Sequence, residues 1–156
     1  MSEGEPVRVA TAEDADVVAQ LLHDFNTEFE TETPGQTVLA ERLRRLLAGP
    51  STYALLGGSP EVAVALVTVR PNLWYDGPVA LLDELYVRPD RRGQGLGARV
   101  LAEVVAEARR RDVRLVEINV DEPDVDARRF YERHGFACGR GPGDRELYYA
   151  SEDVLR

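Results

Sequence analysis

The stretch LDELYVRPDRRGQGLGARVL, residues 82–101, decides the fold of this chain. It opens within the apolar run 79–87, which is bounded by turn residues and is typical of a central β-strand. It closes in a segment whose apolar residues recur at helical spacing from about Gly97 to Arg111. The junction between strand and helix is rich in glycine and arginine, although the chain as a whole has a formal charge of −9. The pattern therefore predicts a strand, a specialised loop and a helix in direct succession.

The glycines of this junction indicate a site for an anion. Gly93, Gly95 and Gly97 let the backbone approach a ligand and adopt positive φ, and a helix N-terminus adds partial positive charge. Arginines around the glycines would offset the negative charge of the chain at this place: Arg88, Arg91, Arg92 and Arg99. A tight turn with solvated arginines is the alternative. The spacing matches neither the Walker loop nor the dinucleotide-binding GxGxxG pattern.

Composition limits the classes of protein and partner. A length of 156 residues with 44% apolar and 30% charged residues is typical of one soluble globular domain, here predicted over residues 1–156. With 19 basic against 28 acidic residues, neither nucleic acid nor an anionic membrane is an expected partner. Cys138 is the single cysteine, and His23 and His134 lack ligand spacing, so we expect no disulfide and no metal. The N-terminus lacks a secretory signal pattern and no apolar run could span a membrane, so a cytoplasmic location is expected.

The remaining periodicities predict a mixed α/β domain. Before the central strand lie a short strand at residues 7–9 and two helices at 11–29 and 38–48. A hairpin with strands at 51–56 and 61–70 follows them. After the glycine segment and its helix come a strand at residues 113–120, a short helix at 121–135 and a closing hairpin around residues 139–144.

Two motifs in this order resemble those of a known family. Arg92-x-x-Gly95-x-Gly97 resembles the Arg/Gln-x-x-Gly-x-Gly/Ala signature of the GNAT N-acetyltransferases, and DARRFYERHGF, residues 126–136, resembles a later motif of that family. The resemblance implies a sheet of about seven strands, mostly antiparallel with a parallel central pair, and about four flanking helices. It also implies acetyl-CoA as cosubstrate and a homodimer, for which residues 146–150 are a candidate interface.

The resemblance assigns main-chain groups of two segments to acetyl-CoA. Loop amides would hold the diphosphate, while the strand would pair with the pantetheine arm and one of its N–H groups would polarise the acetyl carbonyl. The cofactor-binding residues so implied are Leu85, Tyr86, Val87, Arg92, Gly93, Gln94, Gly95, Leu96, Gly97, Ala98, Asp124 and Tyr131. The family often carries Asn where this chain has Asp124, and an ionised carboxylate cannot donate a hydrogen bond, so this contact departs from the pattern.

Acetyl transfer to an amine needs a base, because the ammonium group of the acceptor has a pKa near about 10 and must lose a proton before it can react. An acid that protonates the departing thiolate makes the reaction faster. The resemblance makes Tyr131 the candidate acid, the alternative being a packed aromatic side chain. Asp83 and Glu84 are the candidate base, because two adjacent carboxylates are costly inside a central strand unless they are paired or functional. Salt bridges to arginine are the alternative for both. Regular alternation puts Glu84 on the face of Tyr86, and Asp83 on that of Leu85 and Val87.

Within this family, three segments, LLHDFNTEFE at residues 21–30, NLWYDGP at 72–78 and LLDELYV at 81–87, resemble those of polyamine and aminoglycoside 3-N-acetyltransferases. This likeness implies a small polycationic amine as substrate, because carboxylates attract ammonium groups and an aromatic face adds a cation–π contact. The candidate substrate-binding residues are Asp24, Glu28, Trp74, Asp83 and Glu84, with Asp121 among further acidic candidates. Two other functions stay open. One is a weakly active or inactive acyl-CoA-binding regulatory module, and the other is acetylation of a protein lysine or N-terminus.

Overall fold

The structure is a computed structural model that describes residues 4–121, 123–138 and 146–151. The strands are β1 (Val7–Val9), β2 (Thr52–Gly57), β3 (Ala63–Arg70), β4 (Val79–Val87), β5 (Leu115–Asp121), β6 (Ala137–Cys138) and β7 (Glu146–Ser151). The helices are α1 (Ala15–Glu28), α2 (Gln36–Ala48), α3 (Leu96–Arg110) and α4 (Val125–Arg133), with short 3₁₀ helices at Ala12–Asp14 and Pro89–Arg91.

The strands form one sheet in the order β1-β2-β3-β4-β5-β7-β6. Neighbouring strands run antiparallel except for β4 and β5, which are parallel. The predicted fold class, with its parallel central pair and four helices, is therefore confirmed. The connection predicted between β6 and β7 lies outside the described residues. The extent of one domain over residues 1–156 stays a prediction.

Two helical layers cover the sheet. The apolar stripes of α1 and α2 pack on one face, together with Leu56, Val64 and Tyr86. The buried face of α3 packs on the other, together with Leu82 and Val116 and with Tyr131 of α4. None of the described helices is long and apolar enough to cross a membrane.

A β-bulge interrupts β4 where the predicted acidic pair lies. Glu84 is opposite Leu66 in β3, whereas Leu82 is opposite the next residue, Val67, so Asp83 is the extra residue. The parallel pairing of β4 with β5 ends at the same level, at Leu82 and Ile118. Both strands continue beyond this point, so they part and leave a wedge-shaped opening at their carboxyl ends. This opening positions the candidate site.

Candidate functional site

The glycine loop leads into α3 with the backbone geometry that the sequence predicts. Gly93 and Gly95 have φ values of +77° and +81°, and Gly95 caps the N-terminus of α3. A Cβ at either position would meet nothing within 4 Å, so glycine is favoured there by the backbone conformation and not by a lack of space. The first N–H groups of a helix have no partner inside the helix, and in α3 these belong to residues 96–98. The loop thus presents backbone donors at a helix N-terminus.

These donors border a cavity of about 560 Å³. The cavity lies between the end of β4, the glycine loop and α4, and its wall includes these predicted cofactor residues: Leu85, Val87, Arg92, Gly93, Gly95, Leu96, Gly97 and Ala98. Gln94 and Tyr86 do not line it, and the buried Tyr86 side chain packs on the α1 side of the sheet. The concave wall, backbone donors and apolar β4 side fit an elongated ligand with an anionic end.

Arg92, the first residue of the signature, is held by α1 and β4. Its Nε donates to the carbonyl oxygen of Val87 at 2.9 Å, and its terminal nitrogen lies 2.9 Å and 3.1 Å from the two carboxylate oxygens of Glu28. The Tyr86 hydroxyl donates to the same carboxylate at 3.3 Å. These contacts tie the start of the glycine loop to both elements.

Two further loop arginines are also paired with carboxylates. Arg88 lies 3.0 Å from Asp24 of α1, and Arg91 forms an ion pair with Glu5. Three of the four arginines expected to offset the negative charge of the chain at this place, Arg92 included, therefore have a carboxylate partner. The same pairs occupy Asp24 and Glu28, two of the candidate substrate-binding residues, and neither lines the wedge between β4 and β5 that Asp83 and Glu84 line.

The wedge holds a second cavity of about 270 Å³ with an acidic wall. Its carboxylates belong to Asp83, Glu84, Asp121 and Asp124, and Tyr131 lies beside them. Leu82, Ile118 and Phe25 supply apolar surface. Leu85 and Ala127 line both cavities, so the two meet between β4 and α4.

The bulge sets the placement of the acidic pair. The Thr68 hydroxyl donates to Asp83 at 2.5 Å, and Thr68 lies on the sheet face toward α1 and α2. The expectation that Asp83 shares a face with Leu85 and Val87 is therefore wrong, because the extra residue breaks the alternation. Desolvation raises the pKa of Asp83 against the opposing effect of the Thr68 hydrogen bond. Burial and the neighbouring Asp83 charge both raise the pKa of Glu84.

Tyr131 is 9% exposed and lies on α4 at the edge of the wedge. Burial, followed by the charges of Asp124 and Glu84, raises the pKa of its hydroxyl to about 12. The phenol therefore keeps its proton at neutral pH. Its ring also packs edge-on against Phe130 and Phe136, with centroids 5.3 Å and 5.9 Å away, so it contributes to the core as well.

Asp124 has a structural role that its sequence position did not reveal. It is the N-cap of α4, and its side chain accepts a hydrogen bond from the Ala127 N–H at 3.2 Å. It lines the acidic wedge rather than the cavity of the glycine loop. The structure thus places Asp124 beside Tyr131 and not beside the loop amides.

Trp74 is not brought together with the other candidates. It lies in the connection from β3 to the start of β4, with 82% of its surface exposed, and it lines neither of the two cavities. The glycine loop follows the opposite end of β4.

Sequence reasoning did not select several residues of the site. Phe130, Arg133 and His134 line the larger cavity, and Asn119 lines the wedge. The spacing of Ala127, Phe130 and Arg133 by three residues was the available signal, because such residues share one face of a helix. In the part of the chain that the structure describes, no group of His, Cys, Asp and Glu side chains is arranged to hold a metal ion.

Comparison with known proteins gives consistent matches. The model of the acetyltransferase (GNAT) family matches residues 16–136. An aminoalkylphosphonate N-acetyltransferase from Salmonella typhimurium is 30% identical over 131 residues, which cover 83% of each chain. A crystal structure from Arthrobacter sp. FB24, whose assignment as an acetyltransferase is provisional, is 53% identical with a TM-score of 0.83 over 92% of each chain.

A more distant likeness concerns the fold alone. An aminoglycoside acetyltransferase from an uncultured soil metagenomic sample, solved in complex with sisomicin, is 19% identical with a TM-score of 0.73. The match covers 83% of this chain and 86% of that one.

Proposed function

Because the chain belongs to the GNAT family and is an N-acetyltransferase, we propose that it moves an acetyl group from acetyl-CoA directly to a primary amine of a small cationic acceptor. One observation carries the proposal. A cavity bordered by the glycine loop meets an acidic cavity at Leu85 and Ala127. A donor with an anionic end and an acceptor with a positive charge can therefore enter from different sides and meet at β4.

The larger cavity is the proposed site of acetyl-CoA, which the family uses as acetyl donor. Backbone N–H groups at the start of α3 would hold its diphosphate, aided by the helix dipole. The edge of β4 has no paired β5 residue beyond Leu82. Main-chain groups of residues 83–87 that point away from β3 are therefore available to the pantetheine arm, except the Val87 carbonyl oxygen, which accepts from Arg92. When bound, acetyl-CoA supplies the activated acetyl group at the junction of the cavities.

Glu84 is the proposed base and Tyr131 the proposed acid. The Glu84 carboxylate accepts a proton from the ammonium of the acceptor, directly or through water, and its raised pKa makes it a stronger base than an exposed glutamate. The freed amine forms the bond to the acetyl carbon, and the carbon–sulfur bond breaks. The Tyr131 hydroxyl donates its proton to the departing sulfur and regains one from the nitrogen as the amide forms.

The wall of the acidic cavity favours an acceptor of positive charge. Four carboxylates border about 270 Å³, and an amine with a second ammonium group would meet opposite charges there. An aminoalkylphosphonate, the substrate type named for the Salmonella relative, carries an anionic group that the same carboxylates would repel. We therefore expect polyamines or aminoglycosides to be better acceptors than an aminoalkylphosphonate.

An acceptor panel tests the proposal. The full chain would be incubated with acetyl-CoA and a polyamine, an aminoglycoside, an aminoalkylphosphonate or a lysine peptide, with thiol release and acceptor mass as readouts. Transfer to cationic amines supports the proposal, whereas preference for the phosphonate or the peptide contradicts the acceptor class. Tight CoA binding without transfer to any amine would support the regulatory module instead. The expected homodimer and cytoplasmic location stay predictions, and sedimentation would test the first.

Replacing the acid tests its role separately. Tyr131→Phe should lower kcat about 10²-fold, the lower range for a positioned acid, while the Kd for CoA changes little. Tyr75→Phe, which removes a hydroxyl outside both cavities, is the matched control. Unchanged turnover in Tyr131→Phe would leave the ring with a packing role alone.

A further inference from the structure

We propose that Arg133, near the end of α4, binds a phosphate group of acetyl-CoA from the side of the cavity opposite the glycine loop. This inference rests on the proposed function, because it names a recognition residue within the same donor site. The resemblance to the family selected the glycine loop and its arginine, and it did not point to this residue.

The loop arginines leave this role open. Arg92 is engaged by Glu28 and by a β4 carbonyl, and Arg91 is paired with Glu5. Both line the cavity, yet each already has a carboxylate partner. A phosphate that used either guanidinium would have to compete with that carboxylate. Arg99, the fourth arginine of this segment, does not line the cavity. Among the described residues, the wall on the side of the glycine loop therefore offers the backbone donors no arginine without a carboxylate partner.

Arg133 supplies such a cation from α4. It lines the cavity together with Phe130 and His134, and among the described residues no carboxylate forms an ion pair with it. Arg133 follows Ala127 by six residues, so it lies about 9 Å further along the helix at a rise of about 1.5 Å per residue. Ala127 borders the junction where the acetyl group is expected. Arg133 thus lies toward the end of the cavity remote from the reacting group, where the phosphates of an extended donor would lie.

The chemistry fits a guanidinium. Arginine presents a planar set of donors that matches a phosphate, and charge-assisted hydrogen bonds are about twice as strong as neutral ones. Acetyl-CoA offers two such groups, the diphosphate and the 3′-phosphate of its nucleotide. The shared chemistry is a phosphate oxygen, and a comparison of ligands separates the two sources.

The test measures the Kd of CoA and of 3′-dephospho-CoA by calorimetry for the full chain and two variants. Arg133→Gln removes the proposed contact. Arg129→Gln removes an exposed arginine of the same helix that does not line the cavity, and so controls for net charge. We expect Arg133→Gln to weaken CoA binding about fivefold to tenfold, the loss of one partly exposed charge-assisted contact. Thermal unfolding of both variants checks that the fold is retained.

Each outcome decides the matter. If Arg133→Gln removes the preference of the wild type for CoA over dephospho-CoA, the contact is to the 3′-phosphate. If Arg133→Gln weakens the binding of CoA and of dephospho-CoA equally, and more than Arg129→Gln does, the contact is to the diphosphate. Equal small effects in both variants would overturn the inference while leaving the proposed function intact. A wild-type chain that binds neither ligand would overturn both.

Discussion

Replacing Gly95 by alanine should destabilise the protein, whereas the same change two residues later should stabilise it. Gly95 has φ +81°, a conformation that costs an ordinary residue about 1–2 kcal/mol. A Cβ there meets nothing within 4 Å, so no steric term is added. Alanine also restricts the conformations of the unfolded chain, which raises the free energy of unfolding by about 0.4–1 kcal/mol. Gly95→Ala should therefore lower the free energy of unfolding by about 1 kcal/mol, the difference between these figures.

Gly97 is the matched control within α3. A Cβ there would lie 3.6 Å from a methyl group of Val87 and 3.8 Å from the Phe130 ring, which are ordinary contacts. Alanine is favoured over glycine inside a helix by about 0.5–1 kcal/mol, so Gly97→Ala should raise stability by about that amount. Gly95→Asn should cost less than Gly95→Ala, because asparagine tolerates the left-handed region better.

Urea denaturation at 25 °C measures these differences, provided that the dependence on urea is the same for all variants. The two alanine variants should differ in unfolding free energy by about 1.5–2 kcal/mol, the sum of the two effects. A Gly95→Ala variant as stable as the wild type would show that the loop does not hold this conformation. Equal destabilisation at both positions would show that contacts, not backbone conformation, select glycine here.

Two further predictions concern titration. Glu84→Gln should lower turnover and remove the acid limb of the pH–rate profile, and an unchanged limb would exclude Glu84 as the base. Asp83→Asn should move that limb to lower pH, because the Asp83 charge helps to raise the pKa of Glu84. Arg8 lowers the pKa of Asp14 to about 2, so this pair stabilises the fold above the unfolded pKa near 3.9 and the effect is lost as pH falls toward 2. Asp14→Asn should lower the free energy of unfolding by only about 1 kcal/mol at pH 7, because Arg8 is half exposed and solvent screens the ion pair. Chemical denaturation should find a smaller difference between variant and wild type at pH 3.

The parts of the fold that follow from local pattern could be predicted from the sequence. The bounds of β4 were predicted correctly at residues 79–87, and those of α3 differ by one residue at each end. Both elements carry a strong apolar periodicity between clear boundaries. The α1 segment begins later than predicted because residues 12–14 wind into a 3₁₀ helix, with Asp14 accepting from the Thr11 N–H. Helix ends of this kind depend on single hydrogen bonds and carry a weaker signal.

The site depends on features without a local signal. The bulge at Asp83 arises from the register of β4 against β3, and nothing in the composition of LLDELYV distinguishes a bulged strand from a regular one. The pair of Glu28 with Arg92 joins residues 64 positions apart, so no local pattern indicates that Glu28 contacts the glycine loop, and its assignment to the acceptor stays a prediction. Tyr131 was selected through a motif, and its place beside the acidic wedge depends on the direction in which α4 crosses the sheet.

The distribution of charge explains how a chain of net charge −9 can hold an anionic donor and a cationic acceptor. The carboxylates of α1 and the N-terminal segment neutralise the loop arginines Arg88, Arg91 and Arg92, so on the side of the glycine loop the donor cavity relies on backbone N–H groups that carry no net charge. The proposed contact of Arg133 adds one guanidinium on the opposite side. Among the described residues, no arginine forms an ion pair with the carboxylates of the wedge, and burial together with the Asp83 charge raises the pKa of Glu84. Exposed charges separated by more than about 10 Å are screened at 0.1 M salt, whereas short contacts to backbone N–H groups are affected less. Added salt should therefore weaken binding of the acceptor more than binding of the donor, and a larger rise in KM for acetyl-CoA than for the amine would contradict this division of charge.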